Sequence, residues 1–280
     1  MKQVSFTDIK TEVAHLAITS NIYLPHDVKN ALKEAIKQET SELGQMVLGD
    51  LWQNQQIAAE ENLPLCQDTG TAVVFVELGQ DVHISGGLLE EAINQGIAQG
   101  YAQGYLRKSM LNDPLLRENT NDNTPAIIHI QLTAGDKLKI TLCPKGGGAE
   151  NMSKVIMLNP SAGRTGVKEF VLQTIKEAGP NPCPPLVVGV GLGGNLEKAA
   201  LLAKQALIRP LDERNPRTDL AELEEELLKQ INRLGIGPLG FGGQTTALAV
   251  AIESYPCHIA SLPVAVNLNC HVARHQSVTF

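Results

Sequence analysis

The chain has 280 residues, 43% hydrophobic and 19% charged, an ordinary globular composition with length enough for one large domain or two smaller ones. Aromatic residues make up only 4% and the formal net charge is −7, so phosphate backbones are repelled, stacking surfaces are scarce, and nucleic acid is not an expected partner. No apolar run is long enough to cross a bilayer, and Met1 to Asp8 has no apolar core of the kind a signal peptide carries, so no membrane partner is expected.

Between residues 7 and 60, apolar residues recur at helical spacing in three stripes: Val13, Leu16 and Ala17; Val28, Leu32 and Ile36; Leu43, Met46, Val47 and Leu51. They predict a helical N-terminal layer. A loop around Cys66 then leads into a short apolar strand at 72–78. Residues 86–106 read as a helix in which Gly96, Gly100 and Gly104 share a face, a pattern that suits close helix packing better than ligand contact. Strand-like runs at 126–132 and 137–143 are joined by Thr-Ala-Gly-Asp, which predicts a hairpin. Lys145-Gly146-Gly147-Gly148 follows. Three glycines after a strand form either a nest of backbone N–H groups for an anion or a flexible turn.

A helix over 166–178 stops at Gly179-Pro180, and 186–190 reads as a buried strand followed by a helix through Leu207. The next helix, 218–234, has Thr218 or Asp219 as its predicted cap, and its acidic run Glu222, Glu224, Glu225, Glu226 reads as a solvated face. Strands at 245–252 and 262–268 complete the pattern. No internal repeat or low-complexity linker stands out. The expected fold class is α+β or mixed α/β in a single domain of residues 1–280: a helical N-terminal layer followed by mixed sheets packed with helices.

Gly189-Val190-Gly191-Leu192-Gly193-Gly194 satisfies the dinucleotide-binding fingerprint, and Asp212 and Glu213 lie about 20 residues downstream, as that motif requires. Residues 209–216, however, do not read as the second parallel strand of a βαβ unit. A structural turn is the stronger reading, and an NAD-binding oxidoreductase is the distant alternative.

Cys66, Cys183 and Cys270 occupy the loops Leu65-Cys66-Gln67-Asp68-Thr69-Gly70, Asn181-Pro182-Cys183-Pro184-Pro185 and Asn267-Leu268-Asn269-Cys270-His271. Thiolates bind soft metals, a carboxylate moves protons, and Gly70 lets backbone come close to a ligand. In a reducing cytoplasm, the expected location, metal binding or catalysis is a commoner use of cysteine than a disulfide. No CxxC pair occurs, which disfavours a zinc finger or a small ferredoxin-like site. Cys143 and Cys257 read as buried small hydrophobes.

Taken together, these stretches resemble the class I fumarate hydratases, which carry an iron–sulfur cluster. The resemblance rests on Leu65-Cys66-Gln67-Asp68-Thr69-Gly70-Thr71, on Lys145-Gly146-Gly147-Gly148 with Glu150-Asn151-Met152-Ser153, and on Asn181-Pro182-Cys183-Pro184-Pro185 with Val188-Gly189-Val190-Gly191. Leu234-Gly235-Ile236-Gly237-Pro238, Ala260-Ser261-Leu262-Pro263-Val264 and Cys270-His271 extend it from about residue 5 to residue 275. The chain looks like the α subunit of the two-subunit form, and L(+)-tartrate dehydratase α subunits are closely similar.

The resemblance implies a 4Fe-4S cluster on Cys66, Cys183 and Cys270, one iron of which lacks a protein ligand and acts as a Lewis acid. It implies reversible hydration of fumarate to (S)-malate, a tricarboxylic acid cycle step, with dehydration of L-tartrate to oxaloacetate as the near alternative. Within it, Met152-Ser153 and Asp122-Asn123-Thr124-Pro125-Ala126 favour fumarate. Asp68, assisted by His258, is the implied proton carrier, and Gln67, Arg107 and Gly147 are the implied contacts to the dicarboxylate. Longer, single-chain members carry a β-rich C-terminal lobe with further clamps. The sequence ends at Phe280, so a β subunit is expected to complete the pocket in an α2β2-type or other oligomer. A redox protein whose cluster takes a fourth cysteine is the alternative from another class.

Overall fold

A computed structural model describes residues 2–280. In chain order the elements are β1 (Lys2–Ser5), α1 (Phe6–Ile22), α2 (His26–Gln38), α3 (Glu42–Glu61), β2 (Thr71–Gly79), β3 (Val82–Ser85), α4 (Leu89–Gln103), β4 (Ile127–Thr133), β5 (Leu138–Lys145), α5 (Gly147–Glu150), β6 (Lys154–Leu158), α6 (Gly163–Ala178), β7 (Leu186–Gly194), α7 (Leu196–Ala206), α8 (Thr218–Asn232), β8 (Ala247–Cys257), β9 (Leu262–Asn269) and β10 (Gln276–Thr279). This is the α+β class that the alternation of apolar periods predicts, with the N-terminal helices where their stripes place them. Backbone contacts divide the chain into two compact units. One comprises the residues up to Pro25, Gln55–Gly147 and Arg274–Phe280; the other comprises His26–Asn54 and Gly148–Ala273.

In the first unit, β1 pairs parallel with β3, and the main sheet has the order β10-β5-β2-β4. β2 is parallel to β4 and antiparallel to β5, whose other edge takes β10 antiparallel. The core joins Val74, Val76, Ile140 and Leu142 of the sheet to Ile9 and Val13 of α1 and Ile93 and Ile97 of α4. The two helices touch backbone to backbone. A methyl on Gly96 would stand 2.7 Å from the Lys10 carbonyl, and one on Gly100 would stand 2.6 Å from that of Ala14. The four-residue glycine spacing is therefore a packing signal.

The predicted hairpin between residues 126 and 143 does not form. β4 and β5 follow one another across a short turn, but β2 lies between them. Residues 72–76 of β2 are all buried, whereas β4 is largely exposed. A strand buried on both faces takes the centre of a sheet, and the exposed one takes the edge.

In the second unit the sheet order is β6-β9-β7-β8, with β7 parallel to β8 and antiparallel to β9, and β6 antiparallel to β9. α6 and α8 cover one face through Val171, Ile175, Leu223 and Leu227 against Val188, Val190, Val264 and Val266. α7 lies on the other face, where Ala199 and Ala203 meet Ala265. Added methyls on Gly189 and Gly191 would stand 2.1 and 2.0 Å from the carbonyl oxygens of Ala203 and Ala199. The glycine-rich run thus falls within β7 rather than in a strand-to-helix turn, and its first two glycines exist for the approach of α7. The nucleotide-loop alternative loses its basis.

Two further expectations change. The N-cap of α8 is Arg217, without a side-chain cap bond, and the Asp219 carboxylate pairs with the Arg217 guanidinium at 2.6 Å. Glu224 is not solvated: it is 8% exposed and accepts from Arg209, from the Asn215 amide and from the Ile252 N–H at 2.5, 2.9 and 2.7 Å. Helical periodicity places Glu224 on the core side of α8, and a buried carboxylate needs such partners.

Candidate functional site

In the first unit the register pairs Thr71, at the start of β2, with Lys145, at the end of β5. The antiparallel ladder therefore brings loop 66–70 and Gly146-Gly147-Gly148 to one end of the sheet. Gly70 allows the approach: its φ is +75°, and a methyl there would stand 2.7 Å from the Lys145 backbone. Asp68 joins the two loops. Its Oδ1 accepts the Gly70 N–H at 3.0 Å and its Oδ2 accepts the Gly147 N–H at 2.8 Å. The glycine loop is thus a donor loop, and the anion it holds is a carboxylate of the same chain. Beside it, the Asp68 N–H lies 3.4 Å from Cys66 Sγ, and the Cys66 thiol lies 3.4 Å from Gln67 Oε1. Cys66, Gln67, Asp68 and Gly147, singled out separately in the sequence, form one local group. Arg107 adjoins it through its carbonyl, which accepts the Thr69 hydroxyl at 2.8 Å. The Arg107 side chain is exposed and has no ion pair among the described residues.

Three residues that sequence reasoning passed over hold this loop from behind. The hydroxyl of Tyr101, fully buried on α4, bonds the carbonyls of Thr69 and Gly70 at 2.7 and 2.9 Å. Burial pushes this phenol up to about 12; Arg274 favours its ionisation and Asp68 opposes it. The buried Asn123 donates to the Gly70 carbonyl at 3.1 Å and accepts the Ser109 N–H at 2.7 Å. Arg274, 4% exposed, donates from Nη2 to the Asp68 carbonyl at 2.6 Å. Asn123 lies in the Asp122-Asn123-Thr124-Pro125-Ala126 motif, which was a usable signal. For Tyr101 and Arg274 the sequence offers none.

In the second unit, β7 begins at Leu186, directly after Cys183-Pro184-Pro185, and β9 ends at Asn269, directly before Cys270. Val187 pairs with Asn269, so both cysteines sit at the same end of the sheet. The His271 N–H donates to the Cys183 carbonyl at 3.2 Å, with His271 Nδ1 3.1 Å from the same oxygen. Cys183 is exposed and holds φ +54°, a left-handed conformation that costs a non-glycine residue about 1–3 kcal/mol and concentrates at functional sites. Cys270 is half-buried against the second core. Two thiols on mutually tied loops are a donor set that suits a soft metal or an iron–sulfur cluster. No three His, Cys, Asp or Glu side chains are grouped to hold a single metal ion among the described residues.

His258 lies in the exposed turn between β8 and β9, where its Nδ1 accepts the Ala260 N–H at 3.1 Å. Cys257 next to it is exposed, with its thiol 3.4 Å from the Ser261 carbonyl, and is not the buried hydrophobe the sequence suggested. The reason is that β8 runs on past the core into this turn. Cys143 is half-buried on β5. No helix is long and apolar enough to cross a membrane among the described residues.

Comparison with known proteins agrees with this assembly of motifs. The fumarate hydratase (Fumerase) family matches residues 10–279. A protein of Methanocaldococcus jannaschii, provisionally named L(+)-tartrate dehydratase subunit alpha, is 44% identical over 272 residues, covering 95% of each chain. The L(+)-tartrate dehydratase subunits alpha of Escherichia coli and Shigella sonnei are each 32% identical over 288 residues, covering 100% of this chain and 95% of theirs. With nearly its full length matched and its motifs seated at the strand ends, the chain belongs to the fumarate hydratase (Fumerase) family.

Proposed function

We propose that this chain is the cluster-bearing α subunit of an iron–sulfur hydro-lyase acting on a four-carbon dicarboxylate. The observation that carries this reading is the Asp68 carboxylate, fixed by two backbone N–H groups beside Cys66 in a chain of this family. The relatives' names, each an α subunit, support a β partner in an α2β2-type or other oligomer. A cytoplasmic location suits the cysteine chemistry.

Cys66, Cys183 and Cys270 would hold a 4Fe-4S cluster. When bound, it supplies an iron without a protein ligand, a Lewis acid toward the substrate C–O bond. Asp68 holds and returns the proton at the hydroxyl oxygen: its two N–H bonds fix the orientation of the carboxylate and leave each oxygen a further lone pair for proton transfer. His258 assists that transfer. Arg107, with an exposed guanidinium, clamps a substrate carboxylate through two parallel bonds, and Gln67 orients the neighbouring oxygen. Gly147 shares its N–H between Asp68 and the dicarboxylate.

Fumarate and (S)-malate are the substrate pair we assign. L-tartrate is the second reading, favoured by the names of the relatives. One sequence argument for fumarate weakens, because Asn123 of the 122–126 motif serves to hold Gly70. Turnover of both substrates by the reconstituted α–β complex separates the two.

The test of the cluster is iron and sulfide content after anaerobic reconstitution of wild type and the five single Cys→Ala variants. About four of each per chain, lost only in the Cys66, Cys183 and Cys270 variants, is the expected result. A requirement for Cys143 or Cys257 sinks the open-iron mechanism and favours a redox protein. Robust turnover by the isolated, cluster-loaded chain sinks the β-subunit requirement.

A further inference from the structure

We propose that Arg274 is a positioning residue, a buried cation that holds the Cys66–Asp68 loop in its working geometry. The inference rests on the hydro-lyase reading above. Arg274 is 4% exposed, yet its guanidinium spends only the 2.6 Å bond from Nη2 to the Asp68 carbonyl. Its Nε and Nη1 atoms are buried with no hydrogen-bond partner, and it has no ion pair among the described residues. Burying a guanidinium with most of its donors idle costs more than one bond to a neutral carbonyl returns. An uncharged amide could make that bond without the burial cost of the charge. What a guanidinium adds is a fixed positive charge, so the charge needs an account.

The topology supplies one. Gln276 of β10 pairs with Leu142 of β5. This register places Arg274, just ahead of β10, at the sheet end where loop 66–70 meets the glycine loop. The buried Tyr101 hydroxyl bonds the Thr69 and Gly70 carbonyls and the buried Arg274 bonds that of Asp68, so the two side chains hold three successive carbonyls of the loop from behind. The groups on the loop's open side are anionic in function: the Asp68 carboxylate and the ligand thiolate of Cys66. Arg274 is their common countercharge and, through the Asp68 carbonyl, their anchor. It touches no reacting atom. It acts by keeping Asp68 aligned.

Variants R274K, R274Q and R274M decide the matter. Gln retains a donor for the Asp68 carbonyl without charge, Lys retains both, and Met retains neither. In the cluster-loaded complex with the β subunit, R274Q and R274M are expected to lose kcat on the order of 10²-fold, as misplacement by about 1 Å does, with KM for the dicarboxylate unchanged and R274K largely rescued. In the cluster-free chain, amide hydrogen exchange of the peptide spanning residues 66–70 is expected to rise in R274Q and R274M and to stay near wild type in R274K. Wild-type kcat and exchange in R274Q, a defect confined to KM, or R274K as impaired as R274Q each overturns the proposal. A wild-type complex that turns over no four-carbon dicarboxylate instead sinks the function reading, and the exchange comparison still decides Arg274.

Discussion

Glu39 offers a sharp test of the energetics of the second unit. It follows α2, is 2% exposed, and accepts from four backbone N–H groups: Thr40 and Ser41 on Oε1, Gln244 on both oxygens and Thr245 on Oε2, at 2.8–3.0 Å. Burial alone would raise its pKa. The N–H donors of Ser41, Gln244 and Thr245 outweigh that and bring it from the ordinary 4.5 down to about 2. A carboxylate whose folded pKa lies below its unfolded value adds stability in full above the unfolded pKa, and that stability drains away as pH falls toward the folded one. The separation is worth about 3 kcal/mol at pH 7. In Glu39→Gln an NH2 group faces N–H donors, and the side chain has little room to turn away, since methyls on Gly44 and Gly243 would stand 2.9 and 2.8 Å from the carboxyl group. Urea unfolding followed by circular dichroism is expected to show the variant weaker by about 3 kcal/mol at pH 7, with the gap closing between pH 4.5 and about 2. Equal stability at pH 7, or a gap that stays constant down to about pH 3, refutes the reasoning.

Gly191→Ala puts a methyl 2.0 Å from the Ala199 carbonyl, and a loss above about 3 kcal/mol, read as a depressed melting temperature, is expected; a wild-type melt would show that α7 does not rest on this strand. Titration of the wild type with a nicotinamide cofactor in a calorimeter is expected to give no binding heat. Tyr101→Phe strips the buried Thr69 carbonyl of its hydroxyl partner and is expected to cost about 1–3 kcal/mol of stability, measured by urea unfolding; no change would mean the carbonyl finds another donor. Asp68→Asn in the reconstituted complex is expected to lower kcat by about 10²–10⁴ with iron content intact, and undiminished turnover would remove Asp68 from the proton step.

Local periodicity made most elements legible, because helix stripes and apolar strands are written within a dozen residues. Pairing was not. In both sheets a largely buried strand, β2 or β7, inserts between two strands consecutive in the chain, and nothing within 126–143 or 245–268 announces a partner from far upstream. The site divided along the same line. Cys66, Asp68 and Gly147 were readable because loop chemistry and the family resemblance mark them. Arg274 and Tyr101 were not, since their role depends on which backbone carbonyls happen to lie behind the loop. Glu224 shows the converse failure: a charge run looked solvated until the helix was turned to show which member faces inward.

The unpredicted likeness of the two sheets explains why Cys183 and Cys270 are so widely spaced in the chain. Each sheet has a central strand parallel to the next strand of that sheet in chain order and antiparallel to the one after it, with a fourth strand antiparallel beyond. In such a sheet the loop that opens the central strand meets the end of a strand that comes two places later. In the first unit this joins loop 66–70 to the glycines after Lys145, and the lock is a carboxylate between backbone N–H groups. In the second it joins Cys183 to Cys270, and the lock is His271 on the Cys183 carbonyl. Partners in such an arrangement are necessarily separated by the central strand, a crossover and two further strands of the sheet. A short CxxC signature could not report this site; its distant loops are recognisable only as paired strand ends.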